Sequence, residues 1–272
     1  MSTKRILYIT QEIYPYLPKT SLSTVSRQLP QAIQEKGYEI RTFMPKYGNV
    51  NERRNQLHEV IRLSGMNLII DDSDHSLIIK VASIQPARMQ VYFIDNEDYF
   101  QKRETVVDAK GVEYADNDER SIFYIRGVME TIKKLRWIPD VIHCHGWFTA
   151  LAPIYIKRGY ADDPCFKDTK VVYSVFDDEM KQNFPDNFPN KLRFDTIGDA
   201  EVEDVKGRLP IDYLSLSKLA IDYSDAVVQA TPTISEDIKK YVADKNIPFL
   251  EYNEDFKTTV KEVDELYKKL DA

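Results

Sequence analysis

The first forty-five residues constrain the fold more than any other stretch of the chain. Residues 5–10 (RILYIT) form an apolar run of strand length, followed by a Pro-containing loop over residues 14–18. Leu22, Val25, Leu29, Ala32 and Ile33 then recur at helical spacing, Gly37 is placed to end the helix, and residues 39–44 (EIRTFM) read as a second strand. A strand, a helix and a strand joined this closely pair in parallel through a right-handed crossover. The chain is therefore expected to build a Rossmann-like α/β fold around a doubly wound, mostly parallel sheet.

The later segments extend that pattern with one interruption. Residues 68–84 hold two apolar runs separated by Asp71-Asp72-Ser73-Asp74, the signature of a hairpin inserted into the sheet. Residues 90–94 (QVYFI), 140–145 (DVIHCH), 171–175, 226–230 and 249–252 supply further strands. Helical spacing runs from Ile122 to Leu135, with Asn117 or nearby aspartates as the expected cap, and again over residues 147–158 and from Asp255 to the end. Residues 177–210 are Pro- and Asp-containing with weak periodicity, and are expected to form a mobile flap. Residues 1–272 are read as a single domain.

Charge and cysteine content exclude several classes. With 37 basic and 44 acidic residues the net charge is -7, which disfavours a nucleic-acid partner. No apolar stretch is long enough to span a membrane, and the opening Met1-Ser2-Thr3-Lys4-Arg5 lacks the apolar region of a signal peptide. Cys144 and Cys165 are too few for a disulfide framework, so a cytoplasmic protein with reduced thiols is expected. The 17 tyrosines are read first as core and half-buried surface, and second as sugar-stacking faces.

In a doubly wound sheet, ligands bind beyond the carboxyl ends of the strands, which directs attention to three loops. In the first, Lys19, Thr20 and Ser21 precede a helix N-terminus and are candidates to hold a phosphate. No glycine lies between Thr10 and Gly37 to let backbone approach a phosphate closely, so Thr20 or Ser21 acting as a helix cap is the preferred reading. In the second, strand alternation places His143 and His145 on one face and Cys144 on the other. Two histidines without a third suitably spaced ligand make a weak zinc site, so histidines satisfied by backbone groups are expected, together with an inert core thiol at Cys144. In the third, Asp177, Asp178 and Glu179 cluster, which suits acid/base or magnesium roles as well as a solvated loop. No Gly-x-Ser-x-Gly elbow points to hydrolase chemistry.

Several blocks, taken in order, resemble the start of bacterial starch and glycogen synthases. They are Gln11-Glu12, Pro18-Lys19-Thr20, Leu29-Pro30, Met44-Pro45-Lys46-Tyr47-Gly48, Tyr92-Phe93-Ile94-Asp95-Asn96 with Tyr99-Phe100, and Asp116-Asn117 with Glu119-Arg120. Further along come residues 139–145 with Trp147, then Thr149-Ala150-Leu151-Ala152-Pro153, residues 218–225 and Thr231-Pro232-Thr233. The resemblance implies the N-terminal, acceptor-side half of a GT-B glycosyltransferase that moves glucose from ADP-glucose onto an α-1,4-glucan, with its active site in a cleft against a nucleotide-binding C-terminal domain. That second domain is expected to be absent. Tyr14, His145, Trp147 and Asp177 become sugar-cleft candidates by the same resemblance; no metal or other cofactor is implied.

The departures from the pattern are local. Lys19 is kept, but Ser21 and Leu22 stand where the family has two phosphate-cradling glycines. Gly146 replaces an aspartate, Phe148 a histidine, and Phe176-Asp177 take the place of a histidine-asparagine pair whose histidine lines the reacting sugar. A charge-assisted hydrogen bond contributes about 1.5–3 kcal/mol, and a transition-state donor about a hundredfold or more in rate. Three or four such losses remove roughly four to eight orders of magnitude. The leading expectation is a domain inactive alone that acts by binding glucan, sugar nucleotide or a partner synthase. The alternatives are an active glucosyltransferase completed by a partner chain carrying the C-terminal domain, and an unrelated Rossmann-type nucleotide binder.

Overall fold

In the computed structural model, which describes residues 3–270, the strand–helix–strand opening is present. Met1 and Ser2, with which the expected leaderless start begins, lie outside the described residues, as do the last two residues of the expected closing helix. The elements in order begin with β1 (Arg5–Thr10), α1 (Ser21–Glu35), β2 (Glu39–Pro45), β3 (His58–Glu59), β4 (Met66–Ile70), β5 (Ser73–Ile84) and β6 (Met89–Asp95). After α2 (Asn117–Leu135) and β7 (Val141–His145) come a single turn α3 (Ala152–Ile154), β8 (Lys170–Val175), α4 (Phe188–Lys191), α5 (Asp199–Lys206) and α6 (Tyr213–Asp222). The chain continues through β9 (Ala226–Gln229), α7 (Glu236–Lys245), β10 (Phe249–Leu250) and α8 (Phe256–Leu270).

The strands lie in the order β10-β9-β8-β7-β1-β2-β6-β5-β3, with β4 paired to β5 off this path. From β10 to β6 every pairing is parallel, whereas β5 is antiparallel to β3, β4 and β6. The expected mostly parallel sheet with a hairpin insertion is what forms. The chain moves outward from β1 to β2 and then returns to lay β7 on the other side of β1, so the strand order reverses between β1 and β7. Thr10 and His145 are in register at the carboxyl end of that reversal, the position at which folds of this kind place their ligand crevice.

Helices cover both faces. Ile6 and Tyr8 pack with Leu29 and Ile33 of α1 and with Val260, Val263 and Tyr267 of α8. Leu7 and Ile9 belong to the opposite layer, with Ile122, Ile125 and Val128 of α2. Each such side chain removed from water contributes about 1.5–3 kcal/mol. Gly127 lets α2 lie close to the sheet, because a Cβ there would stand 3.0 Å from both Ile94 and Leu77 side chains.

Four expectations are corrected. Asp116 is the N-cap residue of α2 but makes no side-chain cap bond, while Asn117 instead donates to Val106 O at 2.9 Å and accepts from Arg120 at 2.6 Å. The fully buried Arg120 also donates to Tyr99 O and Thr105 O, tying the preceding loop to the helix, and burial draws its pKa down to about 10. The helix expected over residues 147–158 is broken into a 3₁₀ turn, α3 and a wide π-type turn ending at Gly159, with Pro153 near its middle unable to donate a helical bond. The expected flap instead carries α4 and α5, and buries Phe184, Phe188, Leu192, Val202 and Val205 against the body of the protein. Finally, His143 is satisfied by hydroxyl side chains, not by backbone: Nδ1 lies 2.6 Å from Tyr267 Oη and Nε2 lies 2.6 Å from Ser174 Oγ. Tyr267 Oη also meets Tyr8 Oη at 2.8 Å, so a buried relay joins β8, β7, α8 and β1. Burial, and then the neighbouring His145, hold the His143 pKa well below the usual range, so the ring is neutral.

Replacing Tyr267 with Phe leaves Tyr8 and His143 without their shared partner. The expected cost is about 1–3 kcal/mol, read as a lower urea midpoint with an unchanged m-value; an unaltered midpoint contradicts a stabilising relay.

Candidate functional site

Three loops meet at the crevice, and their polar groups are largely spent on one another. Gln11 N donates to His145 O at 3.2 Å, and Phe148 N donates to Gln11 Oε1 at 3.1 Å, stitching the first loop to the second. At the start of α1, Ser23 N donates to Thr20 Oγ1 and Thr20 N donates to Ser23 Oγ, forming a reciprocal capping box. Thr20 Oγ1 also donates to Glu12 Oε2 at 3.1 Å, and Ser23 Oγ donates to Pro18 O at 2.8 Å. The preferred reading of Thr20 as a cap therefore describes this helix start. Its electropositive end faces a carboxylate supplied by the chain itself, in Glu12.

Gly146 controls the second loop. Its φ of +88° is a conformation that side chains rarely adopt, and an added Cβ would lie 2.6 Å from Leu22 Cδ1, 3.0 Å from Gln11 Oε1 and 3.1 Å from Asp178 Oδ2. Leu22, 3% exposed, thus occupies the space that a side chain at position 146 would enter. Leu22 and Gly146 are two of the positions at which the chain departs from the starch-synthase pattern, and they are neighbours here.

The third loop turns one acid inward. Asp177 and Glu179 are exposed, and Asp178 as a whole is half-buried, yet both of its carboxylate oxygens are sealed from solvent and lack a hydrogen-bond partner. Backbone N–H groups of Asp178 and Trp147 face it outside hydrogen-bond geometry and offset only part of the penalty. Burial, reinforced by Glu12 and Asp177, holds its pKa well above the usual carboxylate range. Burial also raises the Glu12 pKa, against the opposing bond from Thr20. The three acids therefore do not converge as a magnesium site. Among the described residues no group of three or more His, Cys, Asp or Glu side chains is arranged to hold a metal ion.

The remaining candidates separate. His145 is fully buried, with Nδ1 at 3.0 Å from Ser26 Oγ and Nε2 unpartnered; burial lowers its pKa to about 3, so it is neutral. Phe176 is buried 5.7 Å from that imidazole and shields it, and its carbonyl accepts from Tyr213 Oη. Trp147 is packed under Phe148 and Phe184. Tyr14, Lys19, Ser21 and Asp177 are exposed; the Lys19 ammonium lies 5.0 Å over the Tyr14 ring. That pair heads a groove of about 480 Å³ along the outer side of α1, which Arg27, Gln31, Glu35 and Phe256 also line. Cys144 is a buried thiol with its pKa pushed up by desolvation, and Cys165, also buried and reduced, is pushed up to about 11. Most tyrosines are core residues, with Tyr14 and Tyr252 the large exposed ones among the described residues.

Residues 5–247 match the model of the starch synthase catalytic domain. The chain belongs to that family. The glycogen synthase of Chlorobium limicola is 38% identical over 172 residues, covering 63% of this chain and 35% of that protein. The glycogen synthase of Chlorobaculum parvum is 34% identical over 236 residues, covering 86% of this chain and 47% of that protein. The chain thus spans about half or less of the curated relatives it matches. The catalytic domain of starch synthase IV from Arabidopsis thaliana, solved with ADP and acarbose, superposes with a TM-score of 0.73 at 18% identity over 92% of this chain and 52% of that one. The fold accordingly matches about half of the GT-B starch synthase catalytic domain, and family membership sets aside an unrelated Rossmann-type nucleotide binder.

The three loops singled out in the sequence do meet beyond the sheet, but the residues that shape their contact were not singled out. Leu22 read as part of the apolar face of α1 and as a lost glycine, and Asp178 was one of three adjacent acids; the usable signal was the paired departure at Leu22 and Gly146.

Two outcomes follow for stability. Because folded Asp178 holds a proton that the unfolded chain releases above about pH 4, the folded state binds more protons there, and stability falls as pH rises towards the folded pKa. Asp178→Asn is expected to raise the melting temperature at pH 7 and flatten its pH dependence; a lower value at pH 7 means the acid is ionised and paired. Gly146→Ala combines backbone strain with the Leu22 clash and is expected to cost about 2–4 kcal/mol in denaturant unfolding.

Proposed function

We propose that this chain serves α-glucan metabolism as an acceptor-side, starch-synthase-like domain that binds a glucan, a sugar nucleotide or a partner synthase, and does not by itself transfer glucose. The observation that carries this reading is the filled crevice: Leu22 occupies the space beside Gly146, and Phe176 covers the neutral, buried His145. Catalysis of group transfer needs preorganised donors aimed at developing charge. Here Thr20 is committed to Glu12 and Ser23, and Gln11 to Phe148. Glu12, at the start of α1, already occupies the Thr20 hydroxyl that a phosphate would use there. The names of the relatives and the ADP and acarbose held by the Arabidopsis domain support the ligand classes, and a cytoplasmic setting belongs to the same proposal.

A second reading has its own observation. Lys19, stacked on Tyr14, and Asp177 are both exposed at the carboxyl edge, available to phosphate and sugar groups if a partner chain closed over them and completed an active glucosyltransferase.

Transfer of labelled glucose from ADP-glucose to glycogen by the purified chain, beside a two-domain synthase, is the direct test. No transfer by the chain, together with co-sedimentation with glycogen, is expected. Turnover by the chain alone overturns the proposal, and turnover appearing only with an added C-terminal domain selects the second reading.

A further inference from the structure

A different cavity, which shares no residue with the crevice or with the groove along α1, lies where α2, the β4–β5 hairpin and α4 meet. Its volume is about 550 Å³, and Ile69, Arg126, Asn190, Lys191, Arg193 and Phe194 line it. Three cationic side chains in its lining stand out in a chain of net charge -7.

Their charges are not equally compensated. Lys191 is held by Asp118 at 2.9 Å and Glu119 at 2.6 Å. Arg193 pairs at 2.6 Å with Asp199, which is almost fully exposed. Arg126 has no carboxylate in ion-pair range among the described residues, although it is only 8% exposed. One guanidinium nitrogen donates to the Ile69 carbonyl, Nε is sealed from water without a partner, and the group stacks on Phe194 at 4.1 Å from the ring centre. Asp71 also lines the cavity, but it is exposed at the tip of the hairpin.

A nearly buried guanidinium without a counter-charge is costly, and the cost falls when an anion enters beside it. Its planar donor fork suits a phosphate or carboxylate better than a neutral sugar hydroxyl. The cavity is within the size range of small-molecule sites, and its apolar walls, Ile69 and Phe194, suit an organic portion. We propose that this cavity binds a small organic phosphate, with Arg126 as the principal anion ligand and Arg193 and Asn190 at the rim. The proposal is independent of whether the crevice transfers or binds glucose.

The test uses the full chain with glycerol 3-phosphate, inorganic phosphate and, as controls, glycerol and chloride at matched ionic strength, read by calorimetry and thermal shift. Both phosphates are expected to bind and raise the melting temperature, the organic one more strongly, while glycerol and chloride do not. Arg126→Gln is expected to weaken binding about tenfold or more. Because that side chain is buried, two exposed-rim variants accompany it: Arg193→Gln, expected to weaken binding several-fold, and Ile69→Glu, which places a negative charge at the mouth. Ile69 is 60% exposed, so its replacement leaves the core intact. Absence of binding up to about 10 mM phosphate, or affinity unchanged in both rim variants, overturns the proposal, whether or not Arg126→Gln folds. Binding of inorganic phosphate with no gain from the glycerol moiety overturns the organic-phosphate assignment.

Discussion

From Ile6 to Thr10 no residue of β1 has any solvent exposure, and its side chains alternate between the two apolar layers. A strand buried on both sides must have both neighbours paired along its length and helices over both faces. β2 and β7 supply the first, α1 with α8 and α2 supply the second. The reversal of strand order beside β1 is a result of that arrangement, and so is the position of the crevice. Distant residues such as Gln11 and His145 meet because they end adjacent strands.

Once the loops are brought together, the chemistry of the crevice depends on which groups are still available. The sheet would deliver Glu12, Thr20, Ser23 and Gln11 to a ligand, but each has already found an internal partner. Burial adds a second effect, raising the Asp178 pKa and keeping His145 neutral. The edge that normally offers charge and hydrogen bonds in this architecture is uncharged at its floor and apolar at Leu22 and Phe176. Exposed charge is displaced outward, to Lys19 and Asp177.

Much of the scaffold was legible because its signals are local. The period of Leu22, Val25, Leu29 and Ile33 sets α1, and the acidic segment 71–74, of which Asp71 and Asp72 form the turn, sets the β4–β5 hairpin, both within windows of about a dozen residues. The helices α4 to α7 were not recognised, being short or set among Pro and Asp residues that mask periodicity. The family blocks were visible, but many of their polar residues turn out to hold the framework: Arg120 anchors a loop, Asn117 braces it, and Asn96 accepts from the N–H groups of Asp98 and Tyr99. The state of the crevice was legible only as isolated losses. That Leu22 fills the space beside Gly146 depends on a contact across the fold, which no spacing rule reports.

The hydroxyl pair of Tyr8 and Tyr267 joins residues 259 positions apart. During synthesis β1 leaves the ribosome early and α8 much later, so for most of that interval the β1–β7 face has α1 over it but lacks the cover that α8 gives. A nascent chain stalled anywhere before α8 carries a sticky surface at its centre. The last helix made is thus the one that completes the cover of the first strand.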